Sequence, residues 1–149
     1  MERRNDPIAV ERILRSLPDW FGIEESLLGY VADAAHAESY LAVHDGEVVG
    51  VALVHERFPQ SAELTLIAVH ADSCGAGHGA ALVEAVADSL AERGFGLLEV
   101  HTVGPSYEHD GYAATRAFYE RVRFIPMHEF EGIDWSGPTL VLVRPLRRA

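Results

Sequence analysis

The stretch HADSCGAGHGAA, residues 70–81, carries the densest candidate chemistry in the chain. Glycines at 75, 77 and 79 alternate with other residues, so the backbone there can curl and turn successive N–H groups toward one point. A helical pattern follows at once and adds the positive end of a helix dipole to the same place. Such a turn binds phosphate, although three glycines can also make a tight turn and nothing more. The spacing Gly75-x-Gly77-x-x-Ala80 also fits the dinucleotide fingerprint, but that motif needs a strand running straight into its first glycine and an acidic residue at the end of the next strand. Here the strand pattern stops at Val69, and Glu99 falls inside the following strand. His70, Cys74 and His78 are soft donors four residues apart. In a glycine turn with no fourth ligand in sight, no metal is expected of them.

Hydrophobic periodicity supplies the frame for this turn. Asp6 as N-cap and Pro7 at the first helical position open a helix with Ile8, Ile13, Leu14 and Leu17 as its apolar stripe, stopping before Pro18. Ile23, Leu27, Tyr30, Val31 and Ala34 mark a second helix, and Trp20-Phe21 between the two reads as core cover. The period then changes. Residues 40–44 and 48–54 are β-rich runs joined by Asp45-Gly46, a strong hairpin signal, and 64–69 is a third strand. Leu82, Val83, Val86 and Leu90 line one face of a helix over about 79–93, with Gly94 as its stop. A strand over 97–103, a loop over 104–110, a short helix carrying Ala114, Ala117, Phe118 and Val122, and strands over 124–130 and 139–143 complete the order. A basic tail of Arg144, Arg147 and Arg148 follows. A strand-helix-strand unit inside a meandering sheet implies a mixed sheet with helices packed on it.

The bulk numbers narrow the function classes. At 149 residues and 48% hydrophobic content the chain suits a single domain, residues 1–149, with one core. A net charge of −11 argues against nucleic acid and anionic membrane as partners; it would draw in a cationic substrate, or it serves only to keep the domain soluble. No apolar run is long enough for a membrane span, and Glu2, Arg3, Arg4, Asn5 and Asp6 lead into no signal-peptide core. Cys74 is the only cysteine, which excludes an internal disulfide and fits a reducing, cytoplasmic location. A homodimer is compatible with all of this.

The glycine turn and a second block, Ala117-Phe118-Tyr119-Glu120-Arg121-Val122-Arg123-Phe124, together resemble the GNAT superfamily of N-acetyltransferases. The family's signature of Gln or Arg, two residues, Gly, one residue, Gly or Ala aligns with Cys74-Gly75-Ala76-Gly77-His78-Gly79. The second block matches the family pattern in its Phe-Tyr-Glu and final Phe. Departures stand at Cys74, Thr115, Arg123 (the usual glycine) and Tyr112, where an asparagine often touches the cofactor. The likeness covers about residues 8–143. It implies an α/β (α+β) fold with a mixed, mostly antiparallel central sheet of about six to seven strands, a splay, and about four flanking helices. No opening strand is legible before Tyr40.

The resemblance further implies acetyl-coenzyme A as co-substrate, without a metal, and direct acetyl transfer to a primary amine of a small molecule or peptide. Its pyrophosphate would sit on Cys74, Gly75, Ala76, Gly77, His78, Gly79 and Ala80, and its pantetheine arm beside Ile67, Ala68 and Val69, with Tyr112 near the cofactor. An arm laid along a strand edge is oriented by main-chain groups and needs no particular side chains. Tyr119 aligns with the tyrosine that protonates the coenzyme A sulfur, and Glu63 with a catalytic glutamate. His101 is an alternative base, since imidazole titrates near neutrality. Trp20-Phe21 and Ile133-Asp134-Trp135 are expected at the acceptor pocket. A domain that binds coenzyme A as a sensor or partner module, without turnover, is the rival reading.

Overall fold

Asp6 starts the first helix as the sequence predicts: its carboxylate accepts the Ala9 N–H at 3.0 Å, and this bond holds the carboxyl below its ordinary pKa. The computed structural model describes residues 1–146, so Arg147 and Arg148 lie outside the described residues. The elements run α1 (Pro7–Arg15), α2 (Glu24–Ala34), β1 (Glu38–His44), β2 (Glu47–Phe58), β3 (Ser61–Val69), α3 (His78–Glu92), β4 (Leu97–Val103), α4 (Asp110–Arg121), β5 (Ile125–Glu131) and β6 (Pro138–Pro145). The strands neighbour one another in the order β1-β2-β3-β4-β6-β5. Pairs β1–β2, β4–β6 and β5–β6 are antiparallel, while β3–β4 is parallel, as a strand-helix-strand crossover through α3 requires. The parallel ladder runs from Ser61↔Leu97 to Leu64↔Val100 and ends there, although both strands continue. This is the mixed, mostly antiparallel, six-stranded sheet with four helices that the resemblance implies.

The chain divides into two compact units. The first comprises Met1–His55 and Thr65–Ser89. Its core packs Val10, Ile13 and Leu14 of α1 and Leu27 of α2 with Leu41, Val51, Leu53 and Leu66 of the strands. Phe21 packs against this cluster, its ring edge-on to Tyr30 at 5.8 Å. Two stripe assignments fail. Ile8 is 82% exposed, because Val10, Ile13 and Leu14 define the buried face of α1 and a residue two before Val10 lies on the opposite side. Ile23 is 70% exposed because it is the extended N-cap of α2 and stands outside the helix. The illegible first strand survives as one bridge, in which Glu2 and Leu41 exchange both backbone hydrogen bonds at 2.8 Å.

The second unit comprises Glu56–Leu64 and the chain from Leu90 onward. Phe95, Leu98, Val100, Tyr119, Val122, Phe124, Leu140 and Leu142 are among its buried apolar residues. Arg144 is no part of a basic tail. It is a buried residue of β6 opposite Leu98, and its guanidinium donates to the Val122 carbonyl at the C-terminus of α4, where a cation satisfies orphan carbonyls and the helix dipole together.

Two helices end in the same way. Gly94 has φ +89°, with Gly94 N–H on Ala91 O and Phe95 N–H on Leu90 O. Arg123 has φ +74°, with Arg123 N–H on Glu120 O and Phe124 N–H on Tyr119 O. Both are Schellman endings, which need a left-handed residue just past the helix. At Arg123 the family's glycine is gone and its conformation is kept.

Candidate active site

In the first unit, β3 stops at Val69, a short 3-10 turn covers Ala71–Ser73, and the backbone then passes through Gly75 at φ +83° and Gly77 at φ +84°. A Cβ added at either glycine would meet no atom within 4 Å. The glycines are therefore required by their left-handed backbone, and the space above each is open. The Ala81 N–H reaches back to Gly77 O at 3.0 Å as the opening bond of α3, so the first-turn N–H groups of His78, Gly79 and Ala80 have no acceptor within the helix. Cys74 is exposed, and its thiol contacts the Val69 and His70 carbonyls at 3.8 and 3.5 Å. Ala76 lies between the two left-handed glycines. Ile67 and Val69 of β3 are half-buried and Ala68 is buried against the core cluster. A helix N-terminus preceded by two left-handed glycines is a backbone arrangement that can cradle an anion.

His70, Cys74 and His78 do not converge. His70 accepts the Asp72 N–H through Nδ1, and the His78 ring tilts against His44 at 6.0 Å. The donors that do converge, among the described residues, belong to the second unit: one ligand atom each from Glu63, Glu99 and His101 lie within 4.8 Å of one another. The cause is register. Glu63 of β3 sits opposite Glu99 of β4, and His101 follows two residues later on the same face. Glu63 is only 17% exposed in its side chain; its Oε1 accepts from Arg57 Nε at 3.1 Å and forms an ion pair with Arg57 Nη2 at 3.0 Å. His101 Nδ1 contacts Asp134 Oδ2 at 2.8 Å, and Nε2 lies 3.4 Å from Glu99 Oε1. Burial works to lower the His101 pKa, but the Asp134 hydrogen bond, the charges of Glu63 and Asp134 and the polar contact with Glu99 outweigh it and leave the pKa raised.

Tyr119 stands on α4 and is buried, its ring edge-on to Phe118 at 5.5 Å and to Phe124 at 5.6 Å. The Schellman ending fixes it, since Tyr119 supplies the carbonyl that Phe124 N–H caps and Phe124 supplies the apolar contact. Tyr112 opens the same helix in an aromatic group with Tyr107 at 6.3 Å and His109 at 4.9 Å. Trp135 joins it edge-on to Tyr107 at 5.5 Å, and its indole N–H donates to Pro138 O at 2.9 Å.

Residues 9–124 match the sequence model of the Acetyltransferase (GNAT) family. The chain belongs to that family. Solved structures with the GNAT fold superpose along nearly its whole length. One is assigned as a GNAT-family acetyltransferase from Desulfovibrio desulfuricans, with 23% identity, 98% of each chain covered and a TM-score of 0.79. The ribosomal-protein-S18-alanine N-acetyltransferase of Escherichia coli is 21% identical over 100% of this chain and 92% of its own, with a TM-score of 0.76. A GNAT-family acetyltransferase from Elizabethkingia anophelis, solved with acetyl-CoA bound, is 18% identical over 97% and 96%, with a TM-score of 0.74. No curated protein sequence matches the chain at a significant level. No helix among the described residues of this GNAT protein is long and apolar enough to cross a membrane.

Sequence reasoning reaches Glu63 and His101 and expects Asp134 at the acceptor pocket, but misses Glu99 and Arg57 beside them. In the sequence Glu99 shows only as an acidic residue inside a strand. Its i, i+2 relation to His101 was a readable signal, because alternate strand residues share a face. Arg57 and Asp134 had no signal of that kind, since β-strand register and a loop's approach are set by tertiary structure.

Proposed function

We propose that this GNAT protein moves the acetyl group of acetyl-coenzyme A directly to the nitrogen of a primary amine, on a small molecule or a peptide. The observation that carries the reading is the convergence of Glu63, Glu99 and His101 within 4.8 Å, in a chain whose family is defined by acetyl transfer. Carboxylates around an imidazole attract an ammonium and accept its proton, and an amine must be neutral before it can attack. The names of the E. coli S18-alanine enzyme and of the acetyl-CoA-bound Elizabethkingia protein support nitrogen as acceptor and acetyl-CoA as donor.

The open, left-handed turn at Gly75 and Gly77 fits a pyrophosphate, because nothing in the protein fills the space a side chain would occupy there. When bound, acetyl-coenzyme A supplies an activated acyl thioester. The turn's N–H groups hold the phosphates, and Ile67, Ala68 and Val69 offer strand backbone to the arm. Tyr119 hands a proton to the departing sulfur, and Glu63 or His101 draws the proton from the amine. Neither the single exposed cysteine nor the −11 charge opposes a reducing cytoplasm as the working location.

The departures at Cys74 and Tyr112 favour a second reading, a coenzyme A sensor without turnover. Calorimetric binding of acetyl-CoA together with coenzyme A thiol release across a panel of amines separates the two. The expected result is tight binding with thiol release on at least one amine. Binding with no release on any amine supports the sensor, and absence of binding removes both.

A further inference from the structure

Resting on that reading, we propose that His101 is the base that takes the proton from the amine, and that Asp134 is the positioning residue that makes its Nε2 available. An ionised carboxylate only accepts hydrogen bonds, so the 2.8 Å contact between Asp134 Oδ2 and His101 Nδ1 places the ring proton on Nδ1. The lone pair of the neutral imidazole is then on Nε2. That atom is buried and has no hydrogen-bond partner among the described residues, and the groups facing it are acceptors as well: Glu99 Oε1 at 3.4 Å and the Glu63 carboxylate in the same cluster. Three acceptors facing one another lack a donor with several N–H bonds. A primary ammonium or amine is that donor.

Glu63 is less suited to be the base. Arg57 Nε donates to its Oε1 and Arg57 Nη2 forms an ion pair with the same atom, so that oxygen is already engaged within the protein. Glu63 and Glu99 instead stabilise the imidazolium that forms on His101. The groups facing this ring are Glu63 from β3, with Arg57 of β2 behind it, Glu99 on β4 itself and Asp134 from the loop after β5. From β6 the register partner of His101 is Val141, which carries no charge.

The step balances. The amine nitrogen's lone pair bonds the thioester carbonyl carbon, the C–S bond breaks and its electron pair leaves on sulfur. The N–H proton passes to His101 Nε2 and on to solvent. Sulfur receives the Tyr119 proton, and Tyr119 regains one from water. One amine and one thioester give one amide and one thiol.

The test combines a titration with kinetics. Histidine NMR of the full chain reads the His101 pKa without substrate, and kcat/KM against pH is measured with the best of a monoamine, a polyamine, an aminoglycoside and an alanine-terminated peptide. His101 acts only when neutral and its pKa is raised, so kcat/KM climbs as pH rises through that pKa. In Asp134→Asn the NMR pKa falls, the acid limb moves to lower pH by the same amount, and the plateau drops about tenfold or more. His101→Gln, folded by circular dichroism, loses about a hundredfold in kcat with acetyl-CoA affinity retained. Kinetics of His101→Gln within threefold of wild type, beside a large loss in Glu63→Gln, would move the base to Glu63. An unmoved His101 titration in Asp134→Asn would overturn the positioning role. A wild type that acetylates no amine fails the acyl-transfer reading and the base together, while the titration still judges the Asp134 contact by itself.

Discussion

At residues 74–80 the protein offers backbone, and at Glu63, Glu99, His101 and Asp134 it offers side chains. The first region reaches its conformation through two left-handed glycines with empty space above them. The second is made by strand register, which sets Glu63 opposite Glu99 and His101 two residues on, with Asp134 arriving from a loop. Backbone N–H groups are present whatever residue stands at each position, so the proposed phosphate cradle does not depend on the family's basic or amide side chain, absent at Cys74. Proton transfer has no such tolerance, because it depends on particular heteroatoms in particular protonation states. The two regions should therefore fail differently: damage to the first should appear in cofactor affinity, and damage to the second in turnover.

The largest effect is expected at Tyr119. Tyr119→Phe removes one oxygen and keeps the ring that packs on Phe118 and Phe124, so fold and acetyl-CoA affinity should hold. General-acid catalysis contributes about a hundredfold or more, and kcat should fall by that factor under single-turnover conditions, where product release is excluded. A kcat equal to wild type would leave the tyrosine as packing.

Next comes the turn, with an internal control. Gly46 and Gly77 share the left-handed conformation at φ +78° and +84°, and neither has an atom near its absent Cβ. Alanine at either position pays the same backbone strain, about 1–2 kcal/mol. Gly77→Ala should also weaken acetyl-CoA binding about tenfold, whereas Gly46→Ala should lower Tm alike and leave binding unchanged. Equal affinities in the two variants would detach the turn from the cofactor and dissolve the contrast between the regions.

How far these regions were legible in the sequence follows from what each is made of. The turn was readable because glycine spacing is local, and so were the N-cap at Asp6, the hairpin at Asp45-Gly46 and the helix stop at Gly94. Arg123 read as a departure because sequence shows residue type and not φ; the structure shows the glycine conformation retained with an arginine in it. Arg144 read as tail because a terminal arginine looks solvated, and only the packing of β6 against the end of α4 buries it. The Glu63–Glu99–His101 group stayed partly hidden because a parallel register spans a crossover helix that no local pattern encodes. The opening strand was invisible because a single bridge, Glu2 to Leu41, needs no strand-forming run.

Arg123 tests the backbone of the side-chain region. Arg123→Gly relieves the left-handed strain but gives the unfolded chain more freedom, and the two effects partly cancel. A net gain of about 1 kcal/mol or less is expected in urea denaturation, with kcat within twofold because Tyr119 keeps its capped carbonyl. A loss of stability would show that the arginine side chain contributes more than its strained backbone costs.

The smallest expected effect tests the side chain of the backbone region. Cys74 stands where the family places a basic or amide residue, exposed at the mouth of the turn. If the cradle is main chain, Cys74→Arg adds one charged donor beside phosphates that the N–H groups already hold. At an exposed position a charge pair contributes about 0.2–1 kcal/mol, so the acetyl-CoA Kd should fall by about 1.4- to fivefold, and kcat should not change. Salt provides the check: the advantage should shrink as ionic strength rises, because an exposed pair is screened within about 10 Å at 0.1 M. A gain that ignores salt would point to packing by the arginine stem. A gain of a hundredfold would show that side chains dominate this turn after all, and the contrast between the two regions would then be one of degree.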